Sequence, residues 1–190
     1  MISNSELQSK KILRKYAKKQ RNSINIPDTS SKMVQNIKKQ TFYKNAGHVL
    51  GFYPFNNEID LRELYKDNSK NWYLPRVEMS NKSLVIHEYK YGDNLIISKW
   101  GVSEPCCDLE EADIRHIDLI IIPALMVDKK GHRLGYGAGF YDRFIPGLTK
   151  RCLKIVPVPD ELFVDSLPSD HWDIPVDAVI TEKNIYRLTN

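Results

Sequence analysis

Cysteine is scarce in this chain and carries no pattern. Only Cys106, Cys107 and Cys152 occur in 190 residues, with no metal-ligand or redox spacing. Adjacent Cys106 and Cys107 cannot bridge each other without strain. An odd thiol count argues against a disulfide-stapled scaffold and fits a reducing compartment, so a cytoplasmic location is expected. Long apolar runs are lacking too. The longest, residues 119–127, is far too short for a membrane span. Residues 1–7 lack the charged-then-apolar layout of a secretion signal. Charge of one sign is not in large excess: 28 Lys and Arg face 24 Asp and Glu, a net +4. That balance favours anionic ligands without requiring nucleic acid. Glycine is sparse, yet four of the nine fall within residues 131–139. Composition is otherwise that of a globular chain, 42% hydrophobic and 27% charged. The length suits one domain over residues 1–190. No repeat, low-complexity linker or domain boundary is visible.

Ser3 to Glu6 reads as a capping box. It opens a helix that runs to about Gln20, with Leu7, Ile12, Leu13, Tyr16 and Ala17 on its apolar side. A second helix begins after Pro27-Asp28, ends near Tyr43 and buries Met33, Val34, Ile37 and Phe42. Residues 49–53 read as a strand, 54–57 as a turn and 58–67 as a short helix with Ile59, Leu61, Leu64 and Tyr65 apolar. Residues 72–75 form a second strand stopped by Pro75, 83–89 a third, and 95–97 a short one. Residues 98–115 read as an irregular connection. The continuous apolar run 119–122 predicts a central strand. Residues 152–156 and 178–180 are late strands, and 157–177, with four of the ten prolines, is mostly loop. This alternation predicts an α/β sheet with helices on its faces.

The glycines point to a site. Residues 131–143 read Gly-His-Arg-Leu-Gly-Tyr-Gly-Ala-Gly-Phe-Tyr-Asp-Arg. A side-chain-free backbone is entropically costly unless something must approach it closely. The apolar run 118–128 precedes the string, and a short helical stretch with Phe140 and Phe144 on one face follows it until Pro146-Gly147. Strand, glycine loop and helix N-terminus together cradle anions, and Arg133 and Arg143 add charge. The Gly-Lys-Ser/Thr ending of a P-loop and the dinucleotide spacing are both missing. A tight structural turn is the alternative reading.

Residues 7–27 hold no acid, while Lys10, Lys11, Arg14, Lys15, Lys18, Lys19 and Arg21 are basic. A solvated face, a nucleic-acid footprint and a polyphosphate clamp by Lys10 and Arg14 at i and i+4 all fit. Glu58 is either a first-turn residue complementing a helix dipole or a ligand carboxylate beyond a strand end. Arg76 is a surface cation or faces the cleft. Asp142 and Asp173 read singly as turn or cap residues and together as a pair suited to magnesium. Asp177 competes for the second role and reads as structural. His171 has no partner at ligand spacing.

The string from Arg133 to Asp142, Arg-Leu-Gly-x-Gly-x-Gly-Phe-Tyr-Asp, resembles the signature of 5-formyltetrahydrofolate cyclo-ligase, also called 5,10-methenyltetrahydrofolate synthetase. Supporting matches follow in family order: Lys10-Lys-Ile-Leu-Arg14, Asn57-Glu58, Leu74-Pro-Arg76, residues 122–128 and residues 173–181. The resemblance covers nearly the whole chain. It implies a three-layer α/β/α sheet with helices on both faces, of the NagB/RpiA/CoA-transferase-like kind. The implied activity is ATP-dependent cyclisation of 5-formyltetrahydrofolate to 5,10-methenyltetrahydrofolate, releasing ADP and phosphate through a phosphorylated formyl oxygen. ATP is then the co-substrate and Mg2+ the cofactor. The resemblance assigns ATP contacts to Lys10, Arg14, Arg133, Leu134, Gly135, Tyr136, Gly137, Ala138, Gly139, Phe140 and Tyr141. Substrate contacts fall on Tyr53, Glu58, Tyr136, Gly137, Ala138, Gly139 and Phe140, with Glu58 at the pterin. Metal contacts fall on Asp142 and Asp173, and no acid or base catalyst is assigned. Neither nucleic acid nor membrane is an expected partner, and a monomer is expected. Two departures stand out. Tyr136 replaces a basic residue of some members, which removes a phosphate contact. Leu162 stands where Gln is frequent, and Pro157 and Pro159 interrupt a strand end, which alters that wall of the pocket. A catalytically silent nucleotide- or folate-binding relative is the alternative function.

Overall fold

The computed structural model describes residues 10–80, 82–170 and 172–188. The capping box at Ser3 to Glu6, Leu7 and His171 lie outside them. The chain runs α1 (Lys10–Arg21), α2 (Ile26–Lys38), α3 (Thr41–Asn45), β1 (His48–Leu50), β2 (Asn71–Glu78), β3 (Ser83–Tyr89), β4 (Ile96–Ile97), β5 (Ser103–Glu104), β6 (Leu119–Ile121), β7 (Met126–Asp128), β8 (Arg133–Leu134), α4 (Phe140–Phe144), β9 (Leu153–Pro157), β10 (Phe163–Val164), β11 (Ala178–Ile180) and β12 (Ile185–Arg187). A seven-stranded sheet has the order β12-β11-β9-β6-β1-β2-β3. Its five inner strands are parallel, and β3 and β12 add antiparallel edges.

Alternation sorts the side chains. Leu50, Ile120, Val156 and Val179 pack on one face with Leu13 and Ala17 of α1. Leu119, Ile121, Ile155 and Ile180 pack on the other with Met33, Val34 and Ile37 of α2. The three layers are those the resemblance implied. The apolar run 119–122 indeed supplies the middle strand, β6, buried on both faces. Among the described residues, no helix is long and apolar enough to cross a membrane.

Several local expectations need correction. Ile12 is 45% exposed and lies off the buried stripe of α1. The second helix starts at Ile26, because Pro27 loses nothing in a first turn and Asn25 caps the Asp28 N–H. It stops at Lys38; an extended Gln40 then begins the separate α3, and Phe42 is only half-buried. The strand at 49–53 shrinks to β1. Residues 58–67 are not one helix, since only Arg62–Lys66 winds, as a 3-10 helix. Instead the Asp60 N–H is taken by Ser30 Oγ at 2.9 Å, and the Arg62 N–H by the Asp60 carboxylate at 3.0 Å. Pro75 does not stop β2. The Tyr73 carbonyl accepts from the Gly51 N–H at 2.9 Å, so odd residues of β2 turn their polar groups toward β1. Pro75 shares that parity but lies past the end of β1, so its missing N–H removes no ladder bond.

A small sheet, β10-β7-β8, carries the chain into the glycine string. Its anchor is Asp128, fully buried at the end of β7. The carboxylate accepts from the N–H groups of Lys130 and His132 at 2.9 Å each and of Leu167 at 3.0 Å, with His132 Nδ1 at 3.2 Å. Asp128→Ala orphans these donors and should cost roughly 3 kcal/mol or more. Urea unfolding should show a lower midpoint at unchanged slope.

Candidate functional site

The apolar run 118–128 is divided between two sheets. The glycine loop therefore follows β8 of the antiparallel β7–β8 ribbon, not a central strand. The helix after it, α4, has five residues and no side-chain cap. It is too short for the dipole contribution expected of it. Backbone and neighbouring cations shape the loop instead. Gly137 (φ 108°) and Gly139 (φ 67°) take left-handed conformations that favour glycine. Arg14 reaches across from α1, and its Nε donates to the Gly135 carbonyl at 2.9 Å. A Cβ on Gly137 would stand 3.3 Å from the Arg14 Cζ. Arg143 holds the loop from outside, donating to the carbonyls of Ala138 and Lys82 at 2.9 Å each. Gly131 (φ 84°) is also in the left-handed region, and a Cβ there would meet the Val176 carbonyl at 2.7 Å, so this glycine serves packing as well.

A cavity of about 290 Å3 opens beside the loop. Its walls are Lys10, Arg14, Pro123, Arg133, residues 134–142, Asp170, Trp172 and Asp173. Every residue assigned to ATP or metal by resemblance lines it. Lys10 Nζ bridges Asp170 at 2.7 Å and Asp173 at 2.6 Å. Arg133, nearly buried, donates to the Ile174 carbonyl at 2.7 Å and pairs with Asp142. Desolvation pushes the Asp173 carboxyl up, but the Lys10 bond, the Asp170 N–H and the charges of Lys10 and Arg133 outweigh it and hold the group below its ordinary range. At Lys10 the bonds to Asp170 and Asp173 and their charges outweigh desolvation and raise the ammonium. Asp177 pairs with Lys154 Nζ at 2.7 Å, away from this cavity.

The second cavity, of about 1120 Å3, lies between α2, residues 53–63 and residues 89–93. Glu58 and Tyr53 stand in its wall. Glu58 is not a first-turn residue; it closes a turn by accepting from the Phe55 N–H at 2.8 Å. The Tyr53 hydroxyl accepts from Arg62 at 3.2 Å. Burial drives the Glu58 carboxyl above its ordinary range, opposed by the Phe55 N–H, the Tyr136 hydroxyl and the Arg21 charge. A perturbed carboxyl in a cleft wall is a functional candidate on physical grounds. The assigned substrate residues are thus split. Tyr53 and Glu58 line the larger cavity, residues 136–140 the smaller, and the Tyr136 hydroxyl lies near enough to the Glu58 carboxyl to act on it across the boundary.

This explains the Tyr136 departure: its hydroxyl end serves a carboxylate. Leu162 is fully buried in the core and lines neither cavity, so that departure does not alter a pocket wall. Arg76 also lines neither; it bonds His87 and Glu78 at 3.3 Å each. The cluster of Cys106, Cys107 and Asp108 brings three ligand atoms within 4.8 Å of one another, but its thiols donate to Asp108 and it touches neither cavity.

The basic run divides by helical position. Lys11, Lys15, Lys18 and Lys19 are exposed, whereas Lys10 and Arg14 are half-buried and Arg21 is 4% exposed. Sequence reasoning counted Arg21 but gave it no role. Its signal was its place on the Lys10–Arg14–Ala17 stripe, two turns beyond Arg14. Asp170 and Trp172 were missed as well, since neither stands in a recognisable spacing.

Comparison with known proteins agrees with this geometry. A model of the 5-formyltetrahydrofolate cyclo-ligase family matches residues 6–182. The 5-formyltetrahydrofolate cyclo-ligase of Escherichia coli K12 is 31% identical over 149 residues, 74% of this chain and 81% of that one. The Haemophilus influenzae protein of the same name is 30% identical over 148 residues, 70% and 74% of the two chains. The solved 5,10-methenyltetrahydrofolate synthetase of Aquifex aeolicus superposes with a TM-score of 0.83 at 30% identity, covering 95% of this chain and 93% of its own. That of Mycoplasma pneumoniae, at 23% identity and a TM-score of 0.72, covers 92% and 99% and shares the fold. With its signature string, its two joined cavities and a family match over most of its length, the chain belongs to the 5-formyltetrahydrofolate cyclo-ligase family.

Proposed function

We propose that the protein converts 5-formyltetrahydrofolate and ATP to 5,10-methenyltetrahydrofolate, ADP and phosphate. The observation that carries this reading is the meeting of the two cavities at Glu58 and Tyr136. The pterin ring presents an amino group and a ring N–H side by side, and two carboxylate oxygens match those donors. Glu58 is the acceptor in this reading, with Tyr53 orienting the ring. Across Tyr136, the loop 135–139 with Lys10, Arg14 and Arg133 suits a triphosphate: bare amides and fixed cations favour anions.

A formamide oxygen leaves poorly. Once phosphorylated it leaves well, and N10 of the folate closes the ring. The protein supplies no covalent nucleophile. It aligns the formyl oxygen with the γ-phosphate and neutralises charge on the transferring oxygens. Residues 136–140, in the wall of the smaller cavity, touch both substrates in this reading.

Asp142 and Asp173 offer hard oxygen donors in one cavity and so fit Mg2+. Bound there, the metal neutralises phosphate charge. Each carboxylate is paired with a cation, Asp142 with Arg133 and Asp173 with Lys10, and those cations suit phosphate. Nucleotide and metal together therefore satisfy all four groups. Absorbance of the methenyl product should appear only with ATP and Mg2+ both present. A silent relative would bind nucleotide or folate and form no product. Asp142→Asn should raise the Mg2+ requirement about tenfold or more, since one of only two protein carboxylates is lost. An unchanged rate at limiting Mg2+ would remove Asp142 from the metal site.

A further inference from the structure

Arg21 ends α1 and is buried beside the join between the cavities. Lys10, Arg14, Ala17 and Arg21 follow at steps of four, three and four, so one helical face carries them all toward the site. Lys10 and Arg14 reach the smaller cavity, and Arg21 stays inside. Its Nη2 donates to the Ala124 carbonyl, and its Nη1 to the Tyr136 hydroxyl at 3.3 Å. The same hydroxyl lies close to the Glu58 carboxyl and favours its charged form. Asn57 Nδ2 donates to Asn22 Oδ1 at 2.9 Å, which fastens the neighbour of Glu58 to the neighbour of Arg21. The buried Arg21 Nε has no hydrogen-bond partner.

A guanidinium out of water is costly unless a negative charge compensates it. The direct partners of Arg21 are neutral oxygens. The charge it acts on is Glu58. The groups acting on Glu58 from its surroundings are the Phe55 N–H, the Tyr136 hydroxyl and Arg21, and Glu58 in turn acts on the Tyr141 phenol. Arg21 is the cation of this set. A protonated Glu58 would present a donor to the pterin and lose one of its two acceptors.

We propose that Arg21 is a positioning residue for folate binding, which sets a buried cation behind Glu58 and fixes the Tyr136 hydroxyl between the cavities. The proposal rests on Glu58 being the pterin acceptor. It reaches the substrate only through Glu58 and Tyr136, so its loss acts on folate and depends on pH. Removing the charge lets burial push the Glu58 carboxyl further up. Glu58 is then protonated at acid pH and recovers as pH rises.

The test compares wild type, Arg21→Met, Arg21→Gln, Arg21→Lys, Glu58→Gln and the Arg21→Met/Glu58→Gln double variant. The KM for 5-formyltetrahydrofolate and for ATP is measured from about pH 6 to about pH 8.5. Arg21→Met should raise the folate KM about tenfold or more at the acid end, with the excess shrinking as pH rises. The ATP KM should stay within about twofold, and Arg21→Lys should restore much of the acid-side affinity. In the double variant the folate KM should lie near that of Glu58→Gln alone. An excess equal at every pH, or two effects that multiply, would overturn the proposal. If Arg21→Met does not fold, Arg21→Gln keeps a donor for the Ala124 carbonyl and carries the same comparison. The Glu58 carboxyl can also be titrated directly by carbon-13 NMR without substrate. Its pKa should rise in the Arg21→Gln protein, and an unmoved pKa would overturn the proposal whatever Glu58 binds. A folate KM untouched by Glu58→Gln would instead overturn the reading of Glu58 as pterin acceptor.

Discussion

Replacing Glu58 with Gln should raise the KM for 5-formyltetrahydrofolate about 100-fold, corresponding to roughly 3 kcal/mol of lost binding. Two things are lost together. The pterin meets one amide oxygen in place of two charged acceptors. The amide nitrogen also brings donors into a space where the Phe55 N–H already points its hydrogen at the carboxylate. The guanidinium of Arg21 is left buried without its compensating charge. The KM for ATP should change by about twofold or less, because the smaller cavity does not include residue 58. Steady-state kinetics with each substrate varied separates the two effects. A rise confined to ATP would move Glu58 out of the folate site.

Gly137→Ala should reduce kcat/KM for ATP by about 100-fold, the scale of loss for a misplacement of about 1 Å near reacting groups. The glycine has φ 108°, where a Cβ is strained, and the added methyl would press on Arg14 from 3.3 Å. Arg14 is also tied to the Gly135 carbonyl, so it cannot retreat without releasing the loop. The stability cost should be only about 1–2 kcal/mol, since the strain falls on an exposed loop. Gly135→Ala is the contrast within the same loop. A Cβ there meets nothing within 4 Å, and the residue is not in the left-handed region, so the loss should stay below about tenfold. Equal losses at the two positions would show that loop composition, not the fit of Arg14 to Gly137, sets activity.

The parts legible in the sequence are those in which one local rule acts alone. Residues 119–122 are continuously apolar because β6 is covered on both faces. The signature string points to a site because Gly137 and Gly139 are needed for backbone conformation, and Gly137 also for the close approach of Arg14. What was not legible depends on distant partners. Pro75 sits inside β2 only because β1 ends early. Just past that end, Gly51 leaves room for Tyr65: a Cβ there would stand 2.5 Å from the Tyr65 hydroxyl, itself bonded to the Phe52 carbonyl. The apolar residues of 58–67 have helical spacing and are buried, yet Ser30 of α2 claims a backbone donor that a helix would need elsewhere. Strand β7 was hidden because it shares one apolar run, 118–128, with β6 of the other sheet. Arg21 was hidden by its company: amid seven cations, burial at one position follows from helical phase and from what the fold sets opposite it.

The most direct measurement is a nitrogen-15 NMR titration of the protein with a non-hydrolysable ATP analogue and Mg2+. The amides of Gly135, Gly137 and Gly139 should shift together and saturate with the nucleotide. Saturation with those three amides unmoved, and the shifts lying elsewhere in the chain, would contradict the account.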